Sequence, residues 1–397
     1  MNLFFIFSTI ILITIHGVVG IRIIPFLNLS HPLKIITWSS IAILAMLPII
    51  PIILRSKGFE DEVVDLFSWA GYISLGFFVL TFLAVITKDI IYIVIGLLSK
   101  AATAINHSPA PIDPDRRDFI QKMLSISIVT TTGLSTINGL YNARKGATIM
   151  KSTVPIKGLD AELNGLTIAQ ISDLHVGPTI KKGYVEEVVE NVNRLNPDII
   201  AVTGDLVDGS VEYLAKHVEP LKDLHGKIGK YFVTGNHEYY SGVDRWLDKT
   251  DQLGLTNLID SHEVITKGSG TISLGGVTDF RSSSIKPEHK SDAIKAFSGA
   301  PNDKPKILLA HQPWSIFNAH KAGADLQLSG HTHGGQFWPF IYAVRMANPY
   351  TAGLHNHDGT WIYVNRGTGY WGPPLRLGVE SEITLVTLET KKKLKFP

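Results

Sequence analysis

The sequence predicts an α/β layered domain in its second half, preceded by a region of membrane-spanning helices. Three observations carry this expectation. Long uncharged apolar runs crowd the first 90 residues; short apolar runs alternate with amphipathic helical segments beyond residue 160; and charge is divided unevenly between the halves. Residues 1–150 hold 11 Lys/Arg and 8 Asp/Glu and are otherwise mostly apolar, whereas 151–397 hold the remaining 26 and 27. The expected domains are therefore 1–150 and 151–397.

The first apolar run, Leu3–Ile21, is 19 residues long, Ile35–Leu54 is 20 and Leu66–Thr87 is 22, and each ends at a basic residue (Arg22, Arg55, Lys88). A hydrocarbon core of about 30 Å needs about 20 helical residues, so each run can span. No small-x-small pattern near Gly20 marks the first run as a cleaved signal. Pro48 and Pro51 fall inside the second run and are tolerable if neighbouring helices satisfy the freed carbonyls. Ile90–Leu98 is too short to span alone and reads as interfacial or packed on the bundle. A Pro-rich linker follows at Ala104–Pro114. The run from Met123 to Leu140, rich in Ser, Thr and Gly, makes a fourth expected span, giving about four (3–21, 35–54, 66–87, 123–140). Arg116-Arg117, followed by x-Phe-Ile and this weakly hydrophobic stretch, resembles a twin-arginine export signal. An ordinary helix with basic residues at its cytoplasmic end fits the same residues.

In the second half, Leu166–Ile171 reads as a buried strand. Lys181–Leu195 reads as a helix with Tyr184, Val185, Val188, Val189, Val192 and Leu195 on one face. Further strands are expected at Asp198–Val202, Lys230–Val233, Thr271–Val277, Lys306–Ala310, Ala324–Leu328, Trp361–Val364 and Ile383–Leu388. Helices are expected at 211–224, 242–253 and 312–322. Strands alternating with helices make the α/β layering.

Composition excludes some chemistry. The chain has no cysteine, so disulfides, thiol catalysis and zinc–thiolate sites are ruled out. The second half is near neutral, without the clustered basic surface that nucleic acid requires, so no nucleic-acid partner is expected. Metal-ligand residue types sit instead just after the strands: Asp173 and His175; Asp205 and Asp208; Asn236, His237 and Glu238; His311; His331 and His333. Open α/β sheets place their sites at such strand ends. Phosphate-ester hydrolysis needs such a set. Two divalent cations about 3.5–4 Å apart lower the pKa of a shared water and clamp the phosphoryl oxygens. A carboxylate must bridge them. Imidazole and neutral oxygen ligands suit Mn, Fe, Zn or Co better than Ca.

The ordered pattern D-x-H, G-D, G-N-H-E, H and G-H-x-H across residues 173–333 resembles the calcineurin-like metallophosphoesterase superfamily. Ile171–His175, Leu309–Pro313, Gly330–Gln336 and the tail Val364–Gly369 with Pro374-Leu375-Arg376 resemble its membrane-associated bacterial branch. Asn365 and Thr368 depart from that branch's tail. The resemblance implies a four-layered α/β/β/α sandwich. It implies that Asp173, His175 and His333 bind one metal, that Asn236, His311 and His331 bind a second, and that Asp205 bridges them. It further implies that His237 binds no metal but contacts the scissile phosphate and donates a proton or hydrogen bond to the leaving oxygen. Asp208 is expected to orient a ligand or cap the next helix. Glu238 and Tyr239 read as packing, His355 and His357 as a turn near the rim, and Trp338, Tyr370 and Trp371 as groove or core aromatics.

The expected function is thus a membrane-anchored two-metal phosphoesterase. Its expected substrate is a phosphodiester or pyrophosphate of a lipid-linked or envelope compound, since the anchor holds the site near lipid. Gly209 stands where phosphoprotein phosphatases of the superfamily carry arginine. The 64 residues after His333 are too few for the extra domain of nucleotidases. A catalytically silent metal-binding scaffold is the alternative, because a matching site does not guarantee turnover. Seven basic residues in loops assigned inside against five outside predict an external catalytic domain.

Overall fold

A computed structural model describes residues 3–105 and 113–390. The expected linker falls largely on 106–112, outside the described residues. Internal contacts divide the chain into Met1–Leu140 with Gly372–Pro374, and Tyr141–Trp371 with Leu375–Pro397, so the division comes earlier than residue 150.

The first unit is helical: α1 (Leu3–Ile23), α2 (His31–Met46), α3 (Ile49–Ser56), α4 (Glu62–Ile105) and most of α5 (Pro114–Arg144). Among the described residues, three stretches are long and apolar enough to cross a membrane: Ile6–Leu27, His31–Ser56 and Glu62–Ala101. The expected fourth, 123–140, is helical within α5 but is not among them. Its hydroxyl residues lower its apolarity. They bond to the helix backbone (Thr132 Oγ1 to Ile128 O, 2.8 Å) and across to α4 (Thr81 Oγ1 to Thr132 Oγ1, 2.9 Å). The second span breaks between α2 and α3 at Pro48, which has no N–H to continue the ladder. Ile90–Leu98 is not a separate segment but continues α4, because nothing between Lys88 and Ile90 interrupts helical geometry.

The second unit holds two six-stranded sheets. The strands of the first are β1 (Thr148–Ile156), β2 (Thr167–Ile171), β3 (Ile199–Thr203), β4 (Gly229–Val233), β5 (Thr256–Asn257) and β12 (Glu382–Thr390), in the order β1-β12-β2-β3-β4-β5. The second is β10 (Gly353–His357), β11 (Thr360–Val364), β9 (Leu326–Ser329), β8 (Lys306–Leu309), β7 (Gly270–Gly276) and β6 (Ser261–Lys267), in that spatial order. β2, β3 and β4 run parallel, as do β7, β8, β9 and β11.

The pleat sends alternate residues to opposite faces. Ile168, Ile199, Ala201 and Val233 meet Leu274, Ile307, Leu309 and Leu328 in one core between the sheets. Ile171, Ile200, Val202 and Phe232 point the other way. They pack with the apolar stripes of α6 (Lys182–Arg194), α7 (Val211–Val218) and α9 (Val243–Gln252). Tyr184, Val185, Val188, Val189 and Val192 of α6 are buried as the 3.6-residue spacing predicts. On the outer face of the second sheet, α10 (Ala293–Ala296) and α11 (Ile316–Lys321) cover Leu308, Ile362 and Val364. The layers are therefore helix, sheet, sheet, helix. Two short helices complete the unit: α8 (Asn236–Tyr240) and α12 (Phe340–Ala347).

Candidate metal centre

The loops after β2, β3 and β4 of one sheet and after β8 and β9 of the other converge on one place. Their backbone is tightly bent. Asp173, His175, Asp205, His331 and His333 all have positive φ, between 49° and 70°. Such conformations are uncommon outside glycine and cluster where structure over-determines them. Two glycines allow the close approach. A Cβ on Gly204, whose φ is +84°, would lie 2.6 Å from Gly235 N and 2.8 Å from His311 Nδ1. One on Gly330 would collide with the side chains of Ser172 and Asp173.

Three groups of side chains bring ligand atoms within 4.8 Å of one another: Asp173, His175 and His333; Asp205, His311 and His331; and His175, Asp208 and His237. In the first, His175 Nε2 lies 3.1 Å from His333 Nε2, and His333 Nε2 lies 3.5 Å from Asp173 Oδ1. In the second, His311 Nε2 lies 3.1 Å from both His331 Nδ1 and Asp205 Oδ2. Asp205 stands between the groups, with Oδ2 also 3.9 Å from His175 Nε2 and from His237 Nε2. Its Oδ1 accepts the His237 N–H at 2.9 Å.

Hydrogen bonds on the far ring atoms set the donor sets. His311 Nδ1 bonds to the Thr203 carbonyl at 2.8 Å, so it carries a proton, and the neutral ring would offer its Nε2 lone pair to a cation. His175 Nδ1 bonds to Asp208 Oδ1 at 3.0 Å with the same result. Asn236, the residue before His237, has a buried Oδ1 with no hydrogen-bond partner among the described residues. A buried acceptor left unpaired is costly, and a cation would satisfy it. The residues present therefore fit a pair of divalent ions held by imidazole, carboxylate and amide oxygen.

The field at the centre is uneven. Burial pushes the Asp205 carboxyl up, but the imidazoles of His311 and His237 outweigh it and hold it well below the carboxylate range. Burial leaves the Asp173 carboxyl raised. Burial also favours neutral His237, yet Asp205 and Asp208 overcome it and lift the imidazole to about 10. Asp208 Oδ1 lies 2.6 Å from His237 Nδ1, so one carboxylate orients both His175 and His237.

Residues 166–335 match the family model of the calcineurin-like phosphoesterases. An uncharacterized metallophosphoesterase of Helicobacter pylori is 36% identical over 304 residues, covering 76% of this chain and 80% of that protein. The chain belongs to the calcineurin-like metallophosphoesterase family. Animal relatives are similar too. A protein named "Transmembrane protein with metallophosphoesterase domain" from Danio rerio is 36% identical over 279 residues, 68% of this chain, and its Bos taurus counterpart is 38% identical over 276, 67% of this chain. The chain spans 63% and 62% of their lengths. Bacterial and animal metallophosphoesterases are thus both among its relatives.

Several residues of this metallophosphoesterase matter more than the sequence suggested. Glu238, read as packing, is a buried staple between two motif loops. Its carboxylate accepts the N–H groups of Gly235 (2.6 Å), Asp205 (3.0 Å) and Leu206 (2.8 Å). Arg376 is fully buried and donates to the carbonyls of His333 (3.1 Å) and Arg366 (2.8 Å), holding the His333 loop. Thr368, one of the two departures from the branch pattern, bonds through its backbone N–H to Ser172 O at 2.7 Å, beside Asp173. Asn365, the other, bonds to Thr384 Oγ1 at 2.9 Å and accepts the Gly367 N–H at 2.7 Å. Only the local Gly-Asn-His-Glu grouping and the Pro-Leu-Arg tail signalled any of these.

At the rim, the Trp371 ring centroid lies 5.8 Å from that of His237, and Tyr240 lies 5.3 Å from it. Trp338 is exposed, whereas Tyr370 is buried and bonds to Thr179 O. His355 and His357 do not form a turn. They lie on β10, paired antiparallel with β11, where His355 stacks on Tyr350 and His357 packs against Phe317. The alternating pattern of 353–357 is too short and polar to announce a strand.

Proposed function

We propose that this protein is a membrane-anchored two-metal phosphoesterase, with the helical first unit as anchor and the two-sheet second unit, which begins at Tyr141, as catalytic domain. Its substrate is a phosphodiester or pyrophosphate of a lipid-linked or envelope compound, met on the outer side of the cell membrane. The observation that carries the reading is the convergence of the His311 and His331 imidazoles on the Asp205 carboxylate, whose Oδ2 also lies 3.9 Å from His175 of the Asp173, His175 and His333 group.

Asp173, His175 and His333 would hold one ion, Asn236, His311 and His331 the other, and Asp205 both. Two such ions, of Mn, Fe, Zn or Co type, would supply Lewis acidity and a nucleophile at neutral pH. The chain's own work is positioning and proton delivery. Asp205 fixes the His237 backbone through Oδ1. Asp208 holds His237 Nδ1 and so aims Nε2 toward the leaving oxygen. A raised imidazole carries the proton that the leaving oxygen needs. The exposed edge at Trp371 and Tyr240 leaves room for the substituent that departs.

The test uses the full chain in detergent with bis-(p-nitrophenyl) phosphate and added Mn. Mn-dependent release of nitrophenol is expected, falling by at least about a hundredfold in Asp205→Asn. A folded, metal-loaded chain that releases none would sink the enzymatic reading and leave the silent scaffold.

A further inference from the structure

Arg281 lies on the loop that follows β7, and that loop is fastened to the metal centre at several points. The buried Asp279 carboxylate accepts from Gln312 Nε2 at 2.8 Å, and Gln312 is the neighbour of His311. Asp279 N bonds to Thr234 Oγ1 at 3.2 Å, just before Gly235 and Asn236. The other Asp279 oxygen accepts the Arg281 N–H at 2.9 Å. Farther along, His289 Nδ1 meets Tyr239 OH at 2.9 Å, so the loop lies against α8. This fixes the Arg281 backbone beside the segments that carry His311, Asn236 and α8, while its side chain is exposed.

The guanidinium has no hydrogen bond or ion pair among the described residues. Neighbouring cations are committed: Arg366 pairs with Glu382, Arg376 is buried under His333, and Lys286 pairs with Asp244. Arg281's charge is felt at Tyr240, whose ring flanks His237. A simple phosphodiester carries one negative charge, which two divalent ions already oversupply. An exposed arginine on a loop tied to the metal centre can take a further anion, and its planar fork suits phosphate.

We propose that Arg281 binds a second phosphate group on the leaving side of the substrate, so that the preferred substrate is a pyrophosphate diester rather than a simple phosphodiester. This rests on the phosphoesterase reading of the metal centre and narrows it. In the reaction, water adds to the scissile phosphorus and the bond to the bridging oxygen breaks. The electron pair stays on that oxygen, which leaves with the second phosphate and takes a proton from His237. The proton given up by the water restores His237, and the products are two phosphomonoesters.

The experiment compares the full Mn-loaded chain in detergent with Arg281→Gln and Arg281→Lys. ADP-ribose serves as the pyrophosphate diester and bis-(p-nitrophenyl) phosphate as the simple diester. The ratio of their kcat/KM values should fall by about tenfold or more in Arg281→Gln, chiefly through KM, and recover in part in Arg281→Lys. In parallel, calorimetric affinity for α,β-methylene-ADP should fall about tenfold in Arg281→Gln, and more than affinity for AMP. An unchanged ratio, or a wild type that cleaves only the simple diester, overturns the proposal. If wild type cleaves neither substrate, the enzymatic reading has failed on its own account. The binding measurement then decides, and equal losses for both nucleotides, or no binding, overturn the assignment.

Discussion

His237 and Asp208 form the pair on which proton delivery would turn. Their 2.6 Å contact gives the imidazole one fixed orientation, and Asp208 holds His175 by the same oxygen. His237 is outside the two ligand groups that hold Asp173 and Asp205, so its removal should separate rate from metal content. His237→Ala is expected to lower kcat by about 10²–10⁴. Metal measured by elemental analysis should stay at the wild-type level. Loss of metal from that variant would mean that His237 is a ligand, and its assigned role would be wrong. At this scale the convergence of Asp173, His175, Asp205, His311, His331 and His333 was legible because each residue follows a buried strand inside a short motif. Arg376, Asn365 and Thr368 were not. They come late in the sequence and act through contacts made only in the folded chain, Arg376 on the His333 loop and Asn365 and Thr368 on β12.

Strands rather than helices decide the placement of the site, since five strand ends carry it. The start of that framework is held by Asp198, which ties β2 to β3. One of its oxygens accepts both the Thr167 N–H (2.9 Å) and the Thr167 hydroxyl (3.0 Å), and the other faces Lys267 at 3.5 Å. Asp198→Ala would leave the Thr167 N–H without its partner and should cost about 1–3 kcal/mol in denaturant unfolding. Burial pushes the Asp198 carboxyl up, but the Thr167 donors and the lysines outweigh it, so its folded value is depressed. A depressed carboxylate stabilises above its unfolded value, and that contribution is lost as pH falls through the folded one. The gap between wild type and Asp198→Ala should therefore be full near neutrality and shrink below about pH 4. A gap that widened in acid would refute this account. Element types were legible where strands are short, apolar and doubly buried, as in β3 and β8. β1, β6 and β10 escaped notice because they are mostly only part-buried or exposed and carry Lys, Ser, His or Asn. Their strand character comes from the neighbours they pair with, not from their own composition.

For the whole molecule, the three helices long and apolar enough to cross a membrane were legible from hydropathy alone, because apolar stretches of spanning length need no tertiary information. The expected fourth span, 123–140, is helical but is not among them, since Ser and Thr lower apolarity without preventing a helix. The larger consequence concerns how the two sheets are joined. Asp173, His175, Asp205 and Asn236 come from loops of one sheet, and His311, His331 and His333 from loops of the other. Each proposed ion would draw ligands from both sheets and tie them together at their common edge. Binding to the folded state alone stabilises by RT ln(1 + [L]/Kd), about 2.7 kcal/mol at a hundredfold excess over Kd. For a domain of this size that corresponds to an increase of roughly 5–10 °C in Tm. Chelation of the full chain in detergent should therefore lower Tm by about that amount, and Mn should restore it. Asp205→Asn should blunt the response to both, since the bridging charge is gone. If a chelator stripped the metal, verified by elemental analysis, and Tm did not move, the ions would not be linking the sheets. The convergence of five loops with strained, left-handed ligands would then need a cause other than metal.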